Sequence, residues 1–370
     1  MKHIIIDARL YGHQHTGIGR YTKNLLTHLS QLKDFKQYKF SLIINHRQKK
    51  QIQSDLNNKF NLITTNIPHY SLAEQLKLPF LIYKQKADLV HFTHFNKPLF
   101  YFKPSLITIH DLIKHFSKGK NTTTKNPLLY WPKYWAYLIL TFINIKLNHI
   151  IVPSNFWRQY LLKHFNISAK KIITTHEAVD PFFLKQNKKL NSKTQNYIIY
   201  TGNLYPHKNI KVVLQALIKL SNLKLRIIST HNIFTKRTKK LVKKLNISKQ
   251  VQFLGHLNDN LFKRNYQKAL ALVHPSFMEG FSLTGLEAMS LSCPVIASNS
   301  SCLPEIYQKS VLYFDPNNRQ QLVQQIKKLQ NSSRLRQQLI NRGLKQVKKY
   351  SWSKCAQQTL DFYKKILKNK

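Results

Sequence analysis

Two glutamates, Glu279 and Glu287, stand with seven residues between them in HPSFMEGFSLTGLEAMSLSCPVIAS, residues 274–298, in a chain with 14 acidic residues against 60 Lys and Arg. An ionised carboxylate only accepts hydrogen bonds and has room for two hydroxyls of a vicinal diol. The stretch divides into a strand (ALALVHPS), a loop (FMEGFSL) and a short helix (TGLEAMSL) stopped near Cys293 and Pro294. Thr284 with Glu287 three residues later fits a capping box, which is a purely structural account of Glu287. Glu279 has no such account. It lies in the loop ahead of the helix, beside the amides of Phe281, Ser282 and Leu283, and amides at a helix N-terminus suit a phosphate. Carboxylates flanking an anion site describe a ligand with sugars at both ends and phosphate between.

Three other stretches carry candidate chemistry. YTGNLYPHKNI, residues 200–210, opens a strand-to-helix loop with Gly202, His207 and Lys208. A lysine just ahead of a helix reaches a phosphate as a point charge, although Lys208 taken alone is equally one of many surface lysines. ITIHD ends a strand with His110 and Asp111, and a histidine there is either a satisfied core group or a ligand contact. GHQHTGIGRY places Gly12, Gly17 and Gly19 ahead of a helix expected from about Arg20. Glycines let backbone approach a phosphate closely, but Thr22 stands where a dinucleotide fingerprint has its third glycine, so a plain tight turn is the competing reading.

The elements that position these residues follow from periodicity. HIIID, KFSLIIN, NLITT, DLVHFT, SLITIHD, HIIVPS and KIITT read as strands, separated by segments of helical period. That alternation predicts a parallel sheet with crossover helices. Residues 185–196, KQNKKLNSKTQN, are polar and mark a boundary. The rhythm restarts with YIIYTG, KLRIIST, QVQFLG, ALALVHPS and PVIAS, and the tail from about 331 is helical by period. The expected fold is α/β, two doubly wound Rossmann-like domains facing a central cleft. The expected divisions are 1–185, 186–345 and a C-terminal helix over 346–370 packing back toward the first domain. Open α/β sheets bind ligands at the carboxyl ends of their strands, where all four stretches lie.

Composition sets the outer limits. At 370 residues with 42% hydrophobic content, the chain is long enough for two packed cores. A formal charge of +46 attracts polyanions: nucleic acid, anionic lipid or a phosphorylated substrate. No DNA-reading helix, zinc spacing or RNA-binding aromatic signature accompanies the charge, which argues against nucleic acid. Cys293, Cys302 and Cys355 have no metal-ligand spacing and form no even framework, so neither disulfide nor metal is expected. The opening MKHIIIDARLYG reads as a first strand rather than a signal peptide. YWAYLILTFINI, residues 134–145, is well short of the roughly 20 residues that span a bilayer. With YWPK before it, this segment reads either as a buried helix of the first domain or as an aromatic surface for anionic lipid.

PSFMEGFSLTGLEAMSLSCPVIAS, SCLPEI, TGNLYPHKNI, TGIGRYTKNLL, TIHDL and VPSNFWRQYLL closely resemble the retaining nucleotide-sugar glycosyltransferases of family four, above all bacterial mannosyltransferase-like members that build surface polysaccharide. The resemblance runs from the first strand to about residue 316. It implies the two-domain GT-B fold, with an acceptor-binding N-terminal domain and a donor-binding C-terminal domain. It implies that Glu279 holds hydroxyls of the donor hexose, that Phe281, Ser282 and Leu283 bind the distal phosphate and sugar, and that Glu287 binds the ribose. Lys208, with His207 and Gly202 in its loop, would neutralise the departing diphosphate. His110 would sit beside the sugar, and Gly17 and Gly19 would let the first loop close on the phosphates. Catalysis would then rest on Glu279, His110 and Lys208, with no metal.

The donor implied is GDP-mannose or a UDP-hexose, and the acceptor a saccharide or lipid-linked saccharide of polysaccharide or lipopolysaccharide synthesis. The enzyme would be cytoplasmic, peripheral to the inner face of the membrane. Another enzyme of the same architecture, an epimerase or a phosphorylase, is the alternative. Three departures stand out: Ser282 replaces a usual glycine, His207 replaces a usual arginine, and Ser292 and Cys293 replace part of a small turn before Pro294.

Overall fold

The computed structural model describes residues 1–12, 16–119, 127–184 and 194–368. The chain forms two compact units, one of residues 1–112, 131–177 and 351–370, the other of residues 113–130 and 178–350. Most of the polar boundary segment, residues 185–193, lies outside the described residues, as do His13, Gln14 and His15 of the first glycine loop.

Unit 1 has seven strands: β1 (Lys2–Asp7), β2 (Tyr38–Asn45), β3 (Asn61–Thr65), β4 (Leu89–Phe92), β5 (Ser105–Thr108), β6 (His149–Val152) and β7 (Ile172–Thr174). They form one parallel sheet in the order β3-β2-β1-β4-β5-β6-β7. Ile4, Ile5, Ile6, Leu89, Val90, Leu106, Ile107, Ile150 and Ile151 are fully buried. That is why these strands read as continuous β-branched runs: helices cover both faces of a parallel sheet. Each such side chain contributes about 1.5–3 kcal/mol of burial.

The chain's last helix, Trp352–Lys368, packs on the helix Thr16–Leu29. It is pinned to the sheet where Tyr363 Oη meets His91 Nδ1 at 2.6 Å, while His91 Nε2 meets Thr108 Oγ1 at 2.8 Å. Burial pushes His91 down to about 3, so it makes these bonds as a neutral ring.

Unit 2 has β8 (Tyr197–Thr201), β9 (Lys224–Ile228), β10 (Val251–Phe253), β11 (Ala271–His274), β12 (Val295–Ser298) and β13 (Leu312–Phe314). Their parallel order is β10-β9-β8-β11-β12-β13. All twelve strands read from the sequence are present. The thirteenth, β13, is a three-residue edge strand too short to show a period.

Each sheet changes winding direction once, between β1 and β4 in unit 1 and between β8 and β11 in unit 2. At such a switch point the loops leaving two adjacent strands part to opposite faces and open a crevice at the carboxyl edge.

Candidate functional site

The loops that leave β8 and β11 carry Lys208 and Glu279, 71 residues apart in sequence and in contact in space. Lys208 ends a short 3-10 turn, Pro206–Lys208, that Asn209 closes in the left-handed conformation at φ 53°. The Asn209 side chain donates to the Pro316 carbonyl at 2.8 Å, which fixes the turn against the end of the sheet. Upstream, Gly202 has φ 129°, a conformation that side-chain-bearing residues rarely adopt, and a Cβ there would meet nothing within 4 Å. Backbone in this loop is therefore open to close approach.

Glu279 is 6% exposed, and all the contacts of its carboxylate described here are ionic or hydrogen-bonded. Lys208 Nζ donates to Oε1 at 2.8 Å and Oε2 at 2.7 Å, and His274 Nε2 donates to Oε1 at 2.8 Å. Burial by itself would raise the pKa of this group. The Lys208 charge, helped by His274, overrides burial and holds the carboxyl well below the usual carboxylate range. Glu279 therefore stays ionised at any working pH. That excludes it as a general acid and suits it to accept hydrogen bonds from ligand hydroxyls.

A directed hydrogen-bond chain supports this carboxylate. Because a carboxylate cannot donate, the hydrogen must sit on His274 Nε2, and Ser282 Oγ, 3.2 Å away, shares it as a second acceptor. Tyr307 Oη donates to the Ser282 carbonyl at 3.0 Å and accepts the Gly285 amide at 3.1 Å. With the Tyr307 proton so committed, the 2.5 Å contact between Ser282 Oγ and Tyr307 Oη takes its hydrogen from the serine. The Glu279 amide donates to Ser301 Oγ at 3.1 Å, and Cys302 Sγ donates to its carbonyl at 3.4 Å. His274 and Tyr307 carry no recognisable motif, and although Ser301 and Cys302 stand in SCLPEI, the sequence reading gave none of the four a role at the site. The one available signal was that His274 ends a strand five residues before the glutamate.

Two expectations for the following helix need correction. It runs from Leu283 to Ser290 with Ser282 at its cap, and no side chain caps it, so Thr284 lies inside the helix and the Thr284–Glu287 capping box does not form. The reason is tertiary. Tyr307 bonds both Ser282 and the Gly285 amide, starting the helix one residue past Ser282. Glu287 is a helical residue, 4% exposed. Ser282 sits at φ 77°, where a glycine is unstrained and a serine costs about 1–3 kcal/mol. Its hydroxyl's two partners offset part of that cost. Phe281 is buried with its ring edge-on to Tyr350 at 5.4 Å, and Leu283 begins the helix, whose first-turn amides have no intrahelical acceptor.

His207 stacks on Tyr205 at 5.8 Å, and its Nδ1 is buried without a hydrogen-bond partner among the described residues. Burial first, then the neighbouring Lys208 charge, pushes it down to about 4. It is thus neutral near pH 7 and adds no second positive charge beside Lys208.

The remaining sequence candidates belong to unit 1. The helix after β1 begins at Thr16, not near Arg20, so Gly17 and Gly19 occupy its first turn rather than the loop before it. They differ in kind. A Cβ on Gly19 would stand 1.9 Å from the Gly12 carbonyl oxygen, so that glycine is required by packing of the turn. A Cβ on Gly17 meets nothing within 4 Å. Gly19→Ala is expected to cost about 1–3 kcal/mol in denaturant unfolding through overpacking. Gly17→Ala should be neutral or stabilising by up to about 1 kcal/mol through helix propensity. Equal melting temperatures for the two variants would contradict this division.

His110 lies two residues beyond β5, half enclosed by Tyr21, whose ring it meets edge-on at 4.7 Å. Its Nε2 donates to the Thr93 carbonyl at 3.0 Å, and its Nδ1 faces Glu177 Oε1 at 3.4 Å. At the β1/β4 switch point, Arg9 is clamped between Asp7 at 2.7 Å and Glu74 at 2.6 Å, all three buried, and Asn96 also donates to Glu74. This network fixes the loops after β1, β3 and β4.

Comparison with known proteins agrees with this architecture. Residues 15–182 match the family described as Glycosyltransferase Family 4, and residues 182–346 match Glycosyl transferases group 1. O-antigen chain mannosyltransferase B of Escherichia coli is 31% identical over 229 residues, covering 58% of this chain and 60% of that protein. This chain thus aligns with somewhat less than two thirds of that relative. O-antigen chain mannosyltransferase RfbU of Salmonella typhimurium is 24% identical over 344 residues, 88% of this chain and 91% of the relative. Among solved structures, Anabaena Alr3699/HepE in complex with UDP and glucose superposes with a TM-score of 0.72 at 14% identity, covering 98% of each chain. That likeness shows the fold, the two-domain GT-B arrangement.

Proposed function

We propose that this chain, which belongs to the glycosyltransferases that join a family 4 domain to a group 1 domain, is a retaining hexosyltransferase. It moves mannose from a nucleotide diphosphate sugar, GDP-mannose first and a UDP-hexose second, to a saccharide or lipid-linked acceptor of surface polysaccharide. The two O-antigen mannosyltransferase relatives support the choice of sugar and of product class. The single observation that carries the reading is the buried Glu279 carboxylate gripped by Lys208 at the β8/β11 switch point.

The chemistry follows from counting hydrogens and lone pairs. An ammonium has three N–H groups, and Lys208 directs two at Glu279, leaving one for a phosphate oxygen. A carboxylate accepts several hydrogen bonds at once, and Glu279 would accept a hexose hydroxyl alongside those from Lys208 and His274. One ion pair thus sets the distance between the sugar's hydroxyl and the diphosphate, with the anomeric carbon between them. As the bond from the anomeric carbon to the phosphate oxygen breaks, negative charge grows on the diphosphate, and Lys208 with the N-terminal end of the helix Leu283–Ser290, whose Gly285 amide is already held by Tyr307, stabilises it. The acceptor hydroxyl oxygen bonds the anomeric carbon from the face the diphosphate leaves, and the leaving phosphate oxygen takes that hydroxyl's proton, so configuration is retained. The protein supplies position and field, with no metal in the scheme. The enzyme works in the cytoplasm at the inner membrane face, where lipid-linked acceptors lie.

Incubation with a panel of GDP- and UDP-sugars, read as released nucleoside diphosphate with and without a lipid-linked saccharide acceptor, tests this. Acceptor-dependent release of GDP from GDP-mannose at least tenfold above the other donors is expected. Release without glycosidic product, or interconversion of the sugar, would instead identify a hydrolase or an epimerase.

A further inference from the structure

At the β1/β4 switch point of unit 1, one residue stands in a conformation that its type rarely adopts. Tyr70 has φ 59° and is 58% exposed. A lone exposed aromatic needs no special cause, but a bulky side chain on left-handed backbone does. The loop that carries it, from β3 to the helix Leu72–Tyr83, is bonded along its length. The Ile67 amide donates to Thr65 Oγ1 at 3.2 Å, and the Ile67 carbonyl accepts Arg9 Nη1 at 3.3 Å. Ser71 Oγ donates to the Pro68 carbonyl at 2.8 Å. The Tyr70 amide itself donates to Glu74 Oε2 at 2.7 Å, and Glu74 is the fully buried carboxylate that Arg9 and Asn96 hold. A buried ion pair thus keeps an exposed tyrosine in a strained pose, and strain maintained in this way clusters at ligand clamps.

The pose completes a row of rings. Tyr70 meets His94 edge-on with centroids 5.8 Å apart, and its hydroxyl lies 3.3 Å from both ring nitrogens. His94 in turn stands 6.5 Å from His110, their planes 26° apart. Buried Phe95 backs the row, 4.0 Å from His94 and 6.4 Å from Tyr70, and Tyr137 meets Phe95 edge-on at 5.2 Å. Asp111 lies near enough for its negative charge to act on both Tyr70 and Tyr137. In order of contact the row runs Tyr70, His94, His110, on the loops that leave β3, β4 and β5. That is the carboxyl edge, where open α/β sheets take ligands.

The chemistry of the row fits a neutral sugar chain. A pyranose presents an apolar C–H face and a rim of hydroxyls. Here a largely exposed phenol ring stands with imidazole nitrogens and a carboxylate, groups that exchange hydrogen bonds with hydroxyls. A phosphate fits less well, because an aspartate repels it and the guanidinium at this switch point, Arg9, is taken up by Asp7 and Glu74. The family resemblance sets His110 beside the donor hexose, and the acceptor's reacting sugar must abut that hexose. Each step along the row, 6.5 Å and then 5.8 Å, is comparable to one pyranose in a chain. The reacting sugar therefore falls at His94 and the sugar behind it at Tyr70.

We propose that Tyr70, with His94, forms an acceptor subsite one sugar removed from the reacting one, so that this chain extends an existing oligosaccharide. An earlier glycosyl transfer must then supply an acceptor of at least two sugars. The inference rests on the transfer reading for its purpose, whereas binding of an oligosaccharide at Tyr70 needs neither donor nor turnover.

Methyl mannoside, mannobiose and mannotriose, with the corresponding glucose and galactose series, serve as probes. They are tested first by saturation-transfer NMR without donor and then as acceptors. In at least one series the disaccharide is expected to bind at least tenfold more tightly than the monosaccharide, with saturation on both rings. Tyr70→Asn should remove that advantage and raise the KM for the disaccharide to that for the monosaccharide, with the KM for donor unchanged within twofold. Asparagine accepts left-handed backbone, so this variant should melt within about 3 °C of the parent. Tyr70→Phe, which keeps the ring, should retain at least half of the advantage.

Equal or absent binding of mono- and disaccharides in all three series would overturn the proposal. So would a folded Tyr70→Asn protein that keeps the advantage, or a Tyr70→Phe protein that loses all of it. Should Tyr70→Asn misfold, the parent's own comparison and Tyr70→Phe still decide. Oligosaccharide binding through Tyr70 without transfer from any donor would leave the subsite standing and remove the transfer reading. Transfer to monosaccharides as efficient as to disaccharides would do the reverse.

Discussion

Glu279→Gln is expected to lower turnover about 100-fold or more while leaving the chain folded, because the substitution keeps the shape and removes the charge that orders its surroundings. The carboxylate fixes both Lys208 and His274. A glutamine in its place offers one carbonyl oxygen and an amide whose hydrogens point at an ammonium and an imidazole N–H. Either Lys208 turns away, or the amide rotates and gives up its bond to His274. In both outcomes the hexose and the diphosphate lose their common reference point, and a displacement of about 1 Å at a reacting centre costs about two orders of magnitude. The loss should fall mainly on kcat, with donor affinity changed less, if Glu287 rather than Glu279 holds the ribose as the family resemblance implies. Steady-state kinetics with the preferred donor, beside a melting curve, checks it. Unchanged turnover in a folded variant would remove Glu279 from the reaction.

That expectation rests on a contact no linear reading provided. The strands of both sheets were legible because each is a short β-branched run bounded by polar or turn residues, and burial on both faces makes such runs continuous. Only β13, three residues at a sheet edge, fell below that threshold. Lys208 and Glu279 were each legible as candidates, but Lys208 was indistinguishable from the other lysines until the fold brought it within 2.8 Å of a buried carboxylate.

Local rules failed where tertiary bonds outweighed them. Thr284 and Glu287 satisfy a capping motif that Tyr307 overrides by holding Ser282 and the Gly285 amide. The first helix begins at Thr16 because the turn needs a bare backbone at Gly19, against the Gly12 carbonyl, where propensity alone would delay the start. His274 and Tyr307 were invisible for a different reason: a supporting residue has no required spacing from what it supports, only a required place in space.

Lys208→Met is the second large effect, and it differs from the first in its dependence on pH. Without the ammonium, Glu279 keeps its burial and loses its principal compensation, so its pKa moves up from far below the ordinary value of 4.5. In the parent, a depressed folded value means that the ion pair contributes stability above the unfolded value, and this is lost as pH falls through the folded one. The variant forfeits that contribution, so it should be less stable than the parent by about 3–5 kcal/mol at pH 7, the usual cost of stranding a buried charge. The difference should shrink as pH falls through the variant's raised folded value toward the parent's depressed one, because the unfolded states of the two titrate alike and cancel.

Adding Glu279→Gln to Lys208→Met should restore part of the stability, since no charge is then left unpaired. Turnover should not be restored, because the double variant has neither the sugar anchor nor the phosphate charge. A double-mutant cycle on unfolding free energy should thus show coupling of more than about 1 kcal/mol, and one on kcat should show losses far from additive. Additive behaviour in both measurements would mean that the two side chains act separately, and that the ion pair is not the element that sets donor geometry.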